Sequence, residues 1–407
     1  MPTVVTMASC LYRLSVIETY RTTTVSGVLS SFDDFPIHQT SHPVAQTGSS
    51  DLNHYDRYFF NGYTRDTRVF FAAAMGLYPN RHIADASFSV VVDGGTADAR
   101  QINVHASRRA PTDRAEANKV GPIEVEVIEP LSTLRITVEA PEHGIRCDLT
   151  FVRRSAAIEE PHFFHQVGQR VVMDSTRMTQ FGGWEGWIEI DGELTDLAPD
   201  ETLGTRDRSW GVRTVGERGS TGAPVADPQF YWLWAPINFE GFSTHFDINE
   251  HFDGRRWHES GFVSLVPSGN DGPEPAEAMR AVDYRVEWRP GTRSAASFEI
   301  DMIPWSGEVS TITLDPLFDF HMLGIGYTHP EWSHGVWKGE LEVGGDRWDL
   351  PVADLSAPQH VHVQTIVKAT TSGAVGTHEG LGILEQFVIG RHDPSGLSGL
   401  FDGFTPK

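Results

Sequence analysis

The chain has 407 residues and a net charge of −23, from 32 Lys and Arg against 55 Asp and Glu. This length is sufficient for two domains, and this charge disfavours binding to nucleic acid or to anionic membranes. The only cysteines are Cys10 and Cys147, which excludes a disulfide scaffold and a cysteine-rich metal centre. No apolar run reaches the ~20 residues of a membrane helix, and residues 1–20 show no secretory signal. We therefore expect a cytoplasmic protein without a transmembrane segment.

Short runs of alternating apolar and polar residues dominate the chain after an irregular start. Residues 1–50 are rich in Ser and Thr without periodicity, and we interpret them as an N-terminal arm. From residue 51 the alternation is typical of half-buried strands, as in residues 86–92, which precede a turn signal at Asp93-Gly94-Gly95. The pattern breaks near residue 160 and then resumes, with its first hairpin signal at Asp191-Gly192. We predict an all-β protein with domains at 51–170 and 171–407.

The segment 204–213 places several charges and a tryptophan within a strand-like pattern. Alternation puts Arg206, Arg208 and Trp210 on one face and Asp207 on the other, so one charged face is expected to turn inward. A buried carboxylate requires a partner, which the neighbouring arginines could provide. The alternative is a polar bulge whose ion pairs only fix the corner of a barrel.

The run Asp207-Arg208-Ser209-Trp210-Gly211, with Gly204 before it, resembles the Asp-His-Asn-Trp-Gly element of the carotenoid 1,2-hydratase-like and AttH-like proteins. The resemblance implies two tandem lipocalin-like antiparallel β-barrels and an apolar small-molecule ligand. It also implies addition of water to an isoprenoid double bond, or the cyclase activity of distantly similar folds. We adopt this all-β, two-barrel architecture as the expected fold.

The sequence departs from this family at the position that carries its chemistry. Arg208 replaces the family's histidine, and arginine cannot release a proton at neutral pH. The nearest match to the family's later Tyr-x-Asp element is His245-Phe246-Asp247. The resemblance thus supports the fold more strongly than the reaction.

His245, Asp247 and Asn249 share one face of a predicted strand. If this face lines a cavity, burial raises the pKa of Asp247 and makes it a general acid, with His245 as its tuning partner. If instead Phe246 and Ile248 enter the core, the polar face is simply solvated.

Aromatic residues supply candidates for ligand binding. Tyr231 alternates with Trp232 and Trp234, whose indole faces could stabilise cationic charge or pack a core. His321 and Tyr327 lie in a glycine-containing aromatic segment that could line a cavity mouth or form a surface bend.

Metal and cofactor motifs are weak in this sequence. His360 and His362 have the spacing of some metal ligands, but no third ligand can be identified. There is no phosphate-binding loop, no dinucleotide fingerprint and no serine-nucleophile elbow. We predict neither metal nor cofactor.

Two hypotheses about function follow from these residues. The first is a cofactor-independent lyase or isomerase, of hydratase or cyclase type, that acts on an apolar isoprenoid or polycyclic substrate. Its catalytic residues would be Asp247, His245, Asp207 and Arg208, and the residues that bind its substrate would be Trp210, Tyr231, Trp234, His321 and Tyr327. The second is a protein that binds or carries an apolar small molecule without converting it.

Overall fold

The structure is a computed structural model that describes residues 34–35, 41, 46–216, 228–267, 272–273 and 275–406. The predicted arm, residues 1–50, therefore lies largely outside the described residues. Within them the secondary structure consists of β-strands and short 3-10 turns, without an α-helix. The 3-10 turns are Pro79–Arg81, Arg114–Glu116, Pro141–His143, Met322–Ile325 and Pro358–His360. None of these helical segments has the length and apolarity needed to cross a membrane.

The strands form two antiparallel sheets. The first sheet has fourteen strands: β1 (His54–Thr64), β2 (Phe70–Tyr78), β3 (Ile83–Val92), β4 (Arg100–Arg109), β5 (Lys119–Val120), β6 (Ile123–Glu129), β7 (Thr133–Ala140), β8 (Ile145–Arg153), β9 (Ile158–Glu159), β10 (Phe163–Val167), β11 (Arg170–Ile190), β12 (Glu193–Leu197), β13 (Thr202–Arg213) and β22 (Leu341–Asp349). The second has ten: β14 (Phe230–Trp234), β15 (Ile237–Phe239), β16 (Phe242–Glu250), β17 (Arg256–Leu265), β18 (Glu277–Ala278), β19 (Ala281–Trp288), β20 (Ala295–Ile303), β21 (Ser310–His321), β23 (His362–Gly373) and β24 (Glu379–Ile389).

Turn residues connect these strands where the sequence predicted hairpins. Asp93 and Gly95 adopt positive φ between β3 and β4, and Asp191 and Gly192 do so between β11 and β12. Short polar residues and glycine tolerate this conformation, so the two turns are set locally by their sequence.

Each sheet curves around its own apolar core. In the first sheet, Gly121 beside β5 packs against Val343 of β22, which brings opposite ends of the sheet together. In the second, Arg256 and Glu259 of β17 hydrogen-bond the backbone of Val282 in β19, at 2.5 and 2.8 Å respectively. The prediction of an all-β, lipocalin-like fold is confirmed.

The chain passes from the first sheet to the second between Arg213 and Phe230. Strand β22, from the second half of the sequence, joins the first sheet again. The sequence placed a domain boundary near residue 170, but β11, which begins there, pairs within the first sheet. The division into domains at 51–170 and 171–407 stays a prediction.

The outer faces of the central strands pack against each other between the sheets. The ring of Phe70 in the first sheet lies 4.6 Å from that of Phe320 in the second, and Phe59 meets Trp234 edge-on at 6.5 Å. These apolar contacts surround a region rich in buried polar side chains. The candidate site lies there.

Candidate active site between the two sheets

Strand β16 delivers two residues of the site to the space between the sheets. Phe246 and Ile248 enter the second core, while His245 and Asp247 point to the opposite face and are fully buried. One expectation was that this polar face would be solvated if the apolar residues entered the core. The first sheet covers it instead, so alternation along the strand was predictable but burial of both faces was not.

Strand β13 divides its charged residues between two environments. Arg208 is fully buried on the side of the first core, where its Nη1 donates to Asp56 Oδ1 at 2.5 Å and its guanidinium lies 4.0 Å from the Tyr58 ring centre. Asp207 is half-buried on the other face. Alternation therefore separates Asp207 from Arg208, and the pairing that the sequence suggested does not occur. Trp210 follows in phase with Arg208 and pairs across β1 with Asp56.

The centre of the site is the guanidinium of Arg177 on β11. Its Nε and Nη2 donate to the two carboxylate oxygens of Glu160 at 2.8 and 2.6 Å. Thr179 donates to Glu160 Oε1 at 2.6 Å, and its Cα partner on β13 is Asp207. Arg177 Nη2 also donates to Asp247 Oδ2, so one cation from the first sheet binds a carboxylate from each sheet.

Asp247 has two further neighbours from the second sheet. The indole N–H of Trp232 donates to Oδ1 at 2.9 Å, and His258 Nε2 lies 3.9 Å from Oδ2. His245, the predicted tuning partner of Asp247, instead places its Nε2 3.4 Å from Glu160 Oε2. Among the described contacts, those with Trp232 and Arg177 are the ones that lower the pKa of Asp247.

Competition for Arg177 separates the pKa values of the carboxyl groups. Burial raises the pKa of Asp247 well above its usual value, and the charge of Glu160 adds to this effect against the attraction of Arg177. Burial also opposes ionisation of Glu160, but Arg177 and His245 hold its pKa well below its usual value. Burial raises the pKa of Asp207 to about 7. A carboxyl group with a lowered pKa beside carboxyl groups with raised pKa values is the arrangement of an acid–base site.

Several buried polar atoms here have no hydrogen-bond partner among the residues that the structure describes. They include both ring nitrogens of His245, the Trp234 indole nitrogen, His258 Nε2 and the Ser260 hydroxyl. Burial lowers the pKa of His258 to about 3, so its ring is neutral near pH 7. Unpaired buried polar groups are costly, and a concentration of them between two sheets is typical of a site that binds a polar part of a ligand.

Arg177 also lies against three aromatic rings. Its guanidinium carbon is 4.7 Å from the Phe163 ring centre, 5.3 Å from that of Trp232 and 5.6 Å from that of Trp234. The sequence suggested that the two indoles could stabilise a cationic transition state. In the structure the cation at these rings is Arg177 itself.

The remaining predicted binding residues do not all reach this centre. Tyr231 lies in the second core and accepts a hydrogen bond of 3.0 Å from Tyr284. His321 is buried where its backbone exchanges hydrogen bonds with Gln101, and burial lowers its pKa to about 4. Tyr327 lies closer, because its ring contacts that of His362 at 4.5 Å and His362 contacts Trp232 at 6.0 Å. The roles of these residues stay predictions.

Glu160, Arg177, Thr179 and His258 were missed by sequence reasoning. Glu160 falls where the strand pattern breaks, which was the only local signal. Arg177 lies within an ordinary alternating strand. Its contact with Asp247 is made with the second sheet, which begins more than fifty residues later in the chain. No pattern within one strand could have identified it.

Two side-chain groups in the described part of the chain have metal-ligand spacing. Ligand atoms of Glu160, Asp247 and His258 lie within 4.8 Å of one another, but the Arg177 guanidinium already binds both carboxylates. The other group is His105, His329 and Asp346. Its His329 Nδ1 accepts two backbone N–H bonds at 2.9 and 3.0 Å, which leaves the ring proton on the Nε2 that faces Asp346. Neither arrangement favours a cation.

The histidine pair singled out in the sequence does not form one site. His360 lies in a 3-10 turn, where its Nδ1 is 2.8 Å from the Asp354 carbonyl oxygen. His362 Nε2 is 2.6 Å from Glu385 Oε1. The prediction that the protein takes no metal stays a prediction.

Comparison with known proteins identifies the family. A family profile matches residues 29–398, which is most of the chain. The chain belongs to the family of unknown function DUF8625. No curated protein sequence matches it.

The fold has solved relatives. Kievitone hydratase from Nectria haematococca superposes with a TM-score of 0.52 at 11% identity, over 91% of this chain and 96% of that one. A protein provisionally assigned as AttH, from Nitrosomonas europaea, gives 0.47 at 13% identity over 82% and 92%. CghA gives 0.43 at 12% identity over 87% and 95%. The resemblance expected from residues 204–211 is confirmed at the level of the fold, which this chain shares with kievitone hydratase.

Proposed function

We propose that this protein is a lyase or isomerase that acts on an apolar small molecule bound between the two sheets. It adds water to a double bond of this molecule, removes water to form one, or transfers a proton during ring closure. The observation that carries the proposal is the pair Glu160 and Asp247. Both carboxyl groups are buried and share Arg177, yet their pKa values are displaced in opposite directions. The hydratase-type fold supports the same class of reaction.

Asp247 is the proton donor in this proposal, and His245 is the base. Glu160, ionised and 3.4 Å from His245 Nε2, orients the imidazole so that Nδ1 is free to accept a proton. Asp247 and His245 are two residues apart on one strand face, which separates their Cα atoms by roughly 7 Å. This span fits an acid and a base acting on adjacent carbons.

The hydration step balances with these groups alone. The oxygen of a water molecule bonds to one carbon of the double bond and loses a proton to His245 Nδ1, while Asp247 gives its proton to the other carbon. The product carries one added water, and proton transfer from His245 back to Asp247 restores the site. Ring closure uses the same two groups, with a carbon of the substrate in place of water.

The Arg177 charge favours one kind of double bond over another. Protonating an isolated double bond builds a carbocation, and a guanidinium within the same buried site opposes that charge. A double bond conjugated to a carbonyl group instead develops negative charge, which Arg177 stabilises. We therefore favour a polarised double bond over the isolated isoprenoid one that the family resemblance implied.

Conversion in heavy water tests this proposal. The purified protein is incubated in D2O with the apolar extract of its source organism, and products are detected by liquid chromatography and mass spectrometry. With wild-type protein we expect compounds that gain the elements of D2O, that lose water, or that exchange hydrogen on carbon for deuterium. The Asp247→Asn variant should convert them about 10²–10⁴-fold more slowly.

The matched control is Asp315→Asn, which removes an exposed carboxylate from β21. Its rate should equal that of wild type. Equal rates for Asp247→Asn and wild type would contradict the proposed proton donor.

A carrier function is the second candidate, and the aromatic contacts of Arg177 favour it. A guanidinium held by three rings and two carboxylates can act as a fixed binding group as well as a catalytic one. Native mass spectrometry separates the two functions. A carrier retains one compound chemically unchanged, whereas an enzyme given that compound converts it.

A further inference from the structure

Arg57 of β1, which is buried, and Arg213 of β13, which is half-buried, are cations without an ion-pair partner among the described residues. Arg57 is 2% exposed, and its Nη1 lies 3.0 Å from His334 Nδ1. Arg213 Nη1 donates to the Tyr327 hydroxyl at 3.3 Å. The Nε of Arg57 and both Nε and Nη2 of Arg213 are buried and have no hydrogen-bond partner in the described part of the chain. Buried guanidinium groups are normally paired, so these donors require an explanation.

The protein places the two charges on one aromatic ring. The guanidinium carbons of Arg57 and Arg213 lie 4.9 and 5.5 Å from the Tyr327 ring centre. Two like charges against the same ring repel each other, and the ring alone supplies only a small part of the stabilisation that a carboxylate gives. An anion bound beside both would remove this repulsion.

Two titratable groups, His334 and Asp85, lie near the pair, and the charges of both arginines lower the pKa of Asp85 against the effect of its burial. Burial holds the pKa of His334 well below its usual value, and the two arginines lower it further, so its ring stays neutral and its Nε2 faces the Ile325 carbonyl oxygen at 2.8 Å. Asp85 accepts hydrogen bonds from Gly335 N at 2.7 Å and from Tyr78, and burial raises its pKa to about 6. Neither group forms an ion pair with Arg57 or Arg213.

The arginine pair is continuous with the candidate active site. Tyr327 contacts the His362 ring at 4.5 Å, His362 contacts Trp232 at 6.0 Å, and Trp232 donates to Asp247. Along β1, Arg57 lies two residues from Phe59, the Cα partner of Asp207. Asp247 and the two arginines are therefore connected through contacting side chains between the same two sheets.

We infer that Arg57 and Arg213 bind a carboxylate carried by the apolar ligand of this site, an inference that rests on the proposed function. Guanidinium groups present planar pairs of N–H donors that match the two oxygens of a carboxylate. The three unpartnered donors would then be satisfied, and the carboxylate would fix the ligand with its reacting carbons towards Asp247.

Binding of 2-naphthoate and its neutral isostere 2-naphthamide tests the inference by calorimetry at pH 7. We expect wild type to bind the naphthoate at least tenfold more tightly than the amide. Arg213→Gln should weaken naphthoate binding about tenfold or more and leave amide binding unchanged. Arg57→Gln should act similarly. Because Arg213 is only half-buried, Arg213→Gln is expected to disturb folding less than Arg57→Gln.

The matched control is Arg135→Gln, which removes a positive charge of β7 from its partly exposed pair with Asp148 of β8. Equal naphthoate binding by folded Arg213→Gln and wild type would overturn the inference, as would equal affinity of wild type for the two probes or no binding of the naphthoate at millimolar concentration. Conversion that depends on Asp247 together with unchanged naphthoate binding would reject the subsite and leave the proposed function standing. Weakened naphthoate binding by Arg213→Gln, together with conversion that does not depend on Asp247, would reject the proposed function and keep the subsite.

Discussion

The indole N–H of Trp232 donates a hydrogen bond of 2.9 Å to Oδ1 of Asp247. Because an ionised carboxylate accepts such a bond more strongly than a neutral one, this contact opposes the effect of burial on the pKa of Asp247. The two residues lie on neighbouring strands, and Trp232 also contacts Arg177.

Replacing Trp232 by phenylalanine should therefore raise the apparent pKa of Asp247. The phenylalanine ring still packs against Arg177, so the change removes mainly the donor. The measurement is a pH titration by ¹³C NMR of protein labelled at the aspartate carboxyl carbon, with the Asp247 signal assigned from Asp247→Asn. An unchanged or lower value would mean that the indole does not tune this group.

Asp207 should make the stability of the protein depend on pH. Burial raises its folded pKa to about 7, with Arg177 and Arg57 opposing and Glu160 and Glu385 adding to the effect. An unfolded aspartate has a pKa of about 3.9, so between pH 4 and 7 the folded state binds more protons. Its contribution to stability is complete below about pH 4 and is lost as the pH rises through 7.

Asp207→Asn should consequently have a higher free energy of unfolding than wild type at pH 8, by on the order of 2 kcal/mol. The difference is kept this small because Asp207 is only half-buried and solvent screens its charge. At pH 4 the two proteins should have nearly equal free energies of unfolding. Urea unfolding at both pH values measures the difference. Asp315→Asn, in an exposed position, should show no such dependence. A difference between Asp207→Asn and wild type that is the same at both pH values would contradict the shifted pKa.

The residues of β13 show how far the sequence could be interpreted. The alternation that separates Asp207 from Arg206 and Arg208 is a property of one strand, so it was predictable, as were the hairpin turns at Asp93-Gly94-Gly95 and Asp191-Gly192. The partners were not predictable. Arg177 reaches Asp247 only because the second sheet packs on the first, and that contact depends on both surfaces together.

The buried pair of Arg206 and Asp34 should be essential to the first core. Arg206 Nη1 donates to Asp34 Oδ1 at 2.5 Å, both side chains are fully buried, and Asp34 also accepts from the backbone of Leu131. Asp34→Ala should lower the free energy of unfolding by about 3–5 kcal/mol, because it leaves a buried guanidinium unpaired.

Urea unfolding of Asp34→Ala, Arg206→Met and the double variant measures this coupling. The double variant should lose less stability than the sum of the single losses, because neither charge is then left alone. Glu340→Ala, which breaks the exposed pair with Arg109, should change stability by less than about 1 kcal/mol. Additive losses would show that the pair is not coupled.

Gly204, the glycine before the sequence element of β13, should not tolerate a side chain. A Cβ there would lie 2.2 Å from the Asn61 carbonyl oxygen and 2.5 Å from Trp184 Nε1, two atoms that are already joined by a hydrogen bond of 2.8 Å. Gly204→Ala must displace backbone on β1 or break this bond, because the neighbouring oxygen is not at the end of a flexible side chain. We expect a loss of about 1–3 kcal/mol in the free energy of unfolding. Gly272→Ala, where a Cβ meets nothing within 4 Å, is the matched control and should leave stability unchanged. Equal stability of Gly204→Ala and wild type would mean that β1 and β13 can separate there, and that this glycine is not required by close packing.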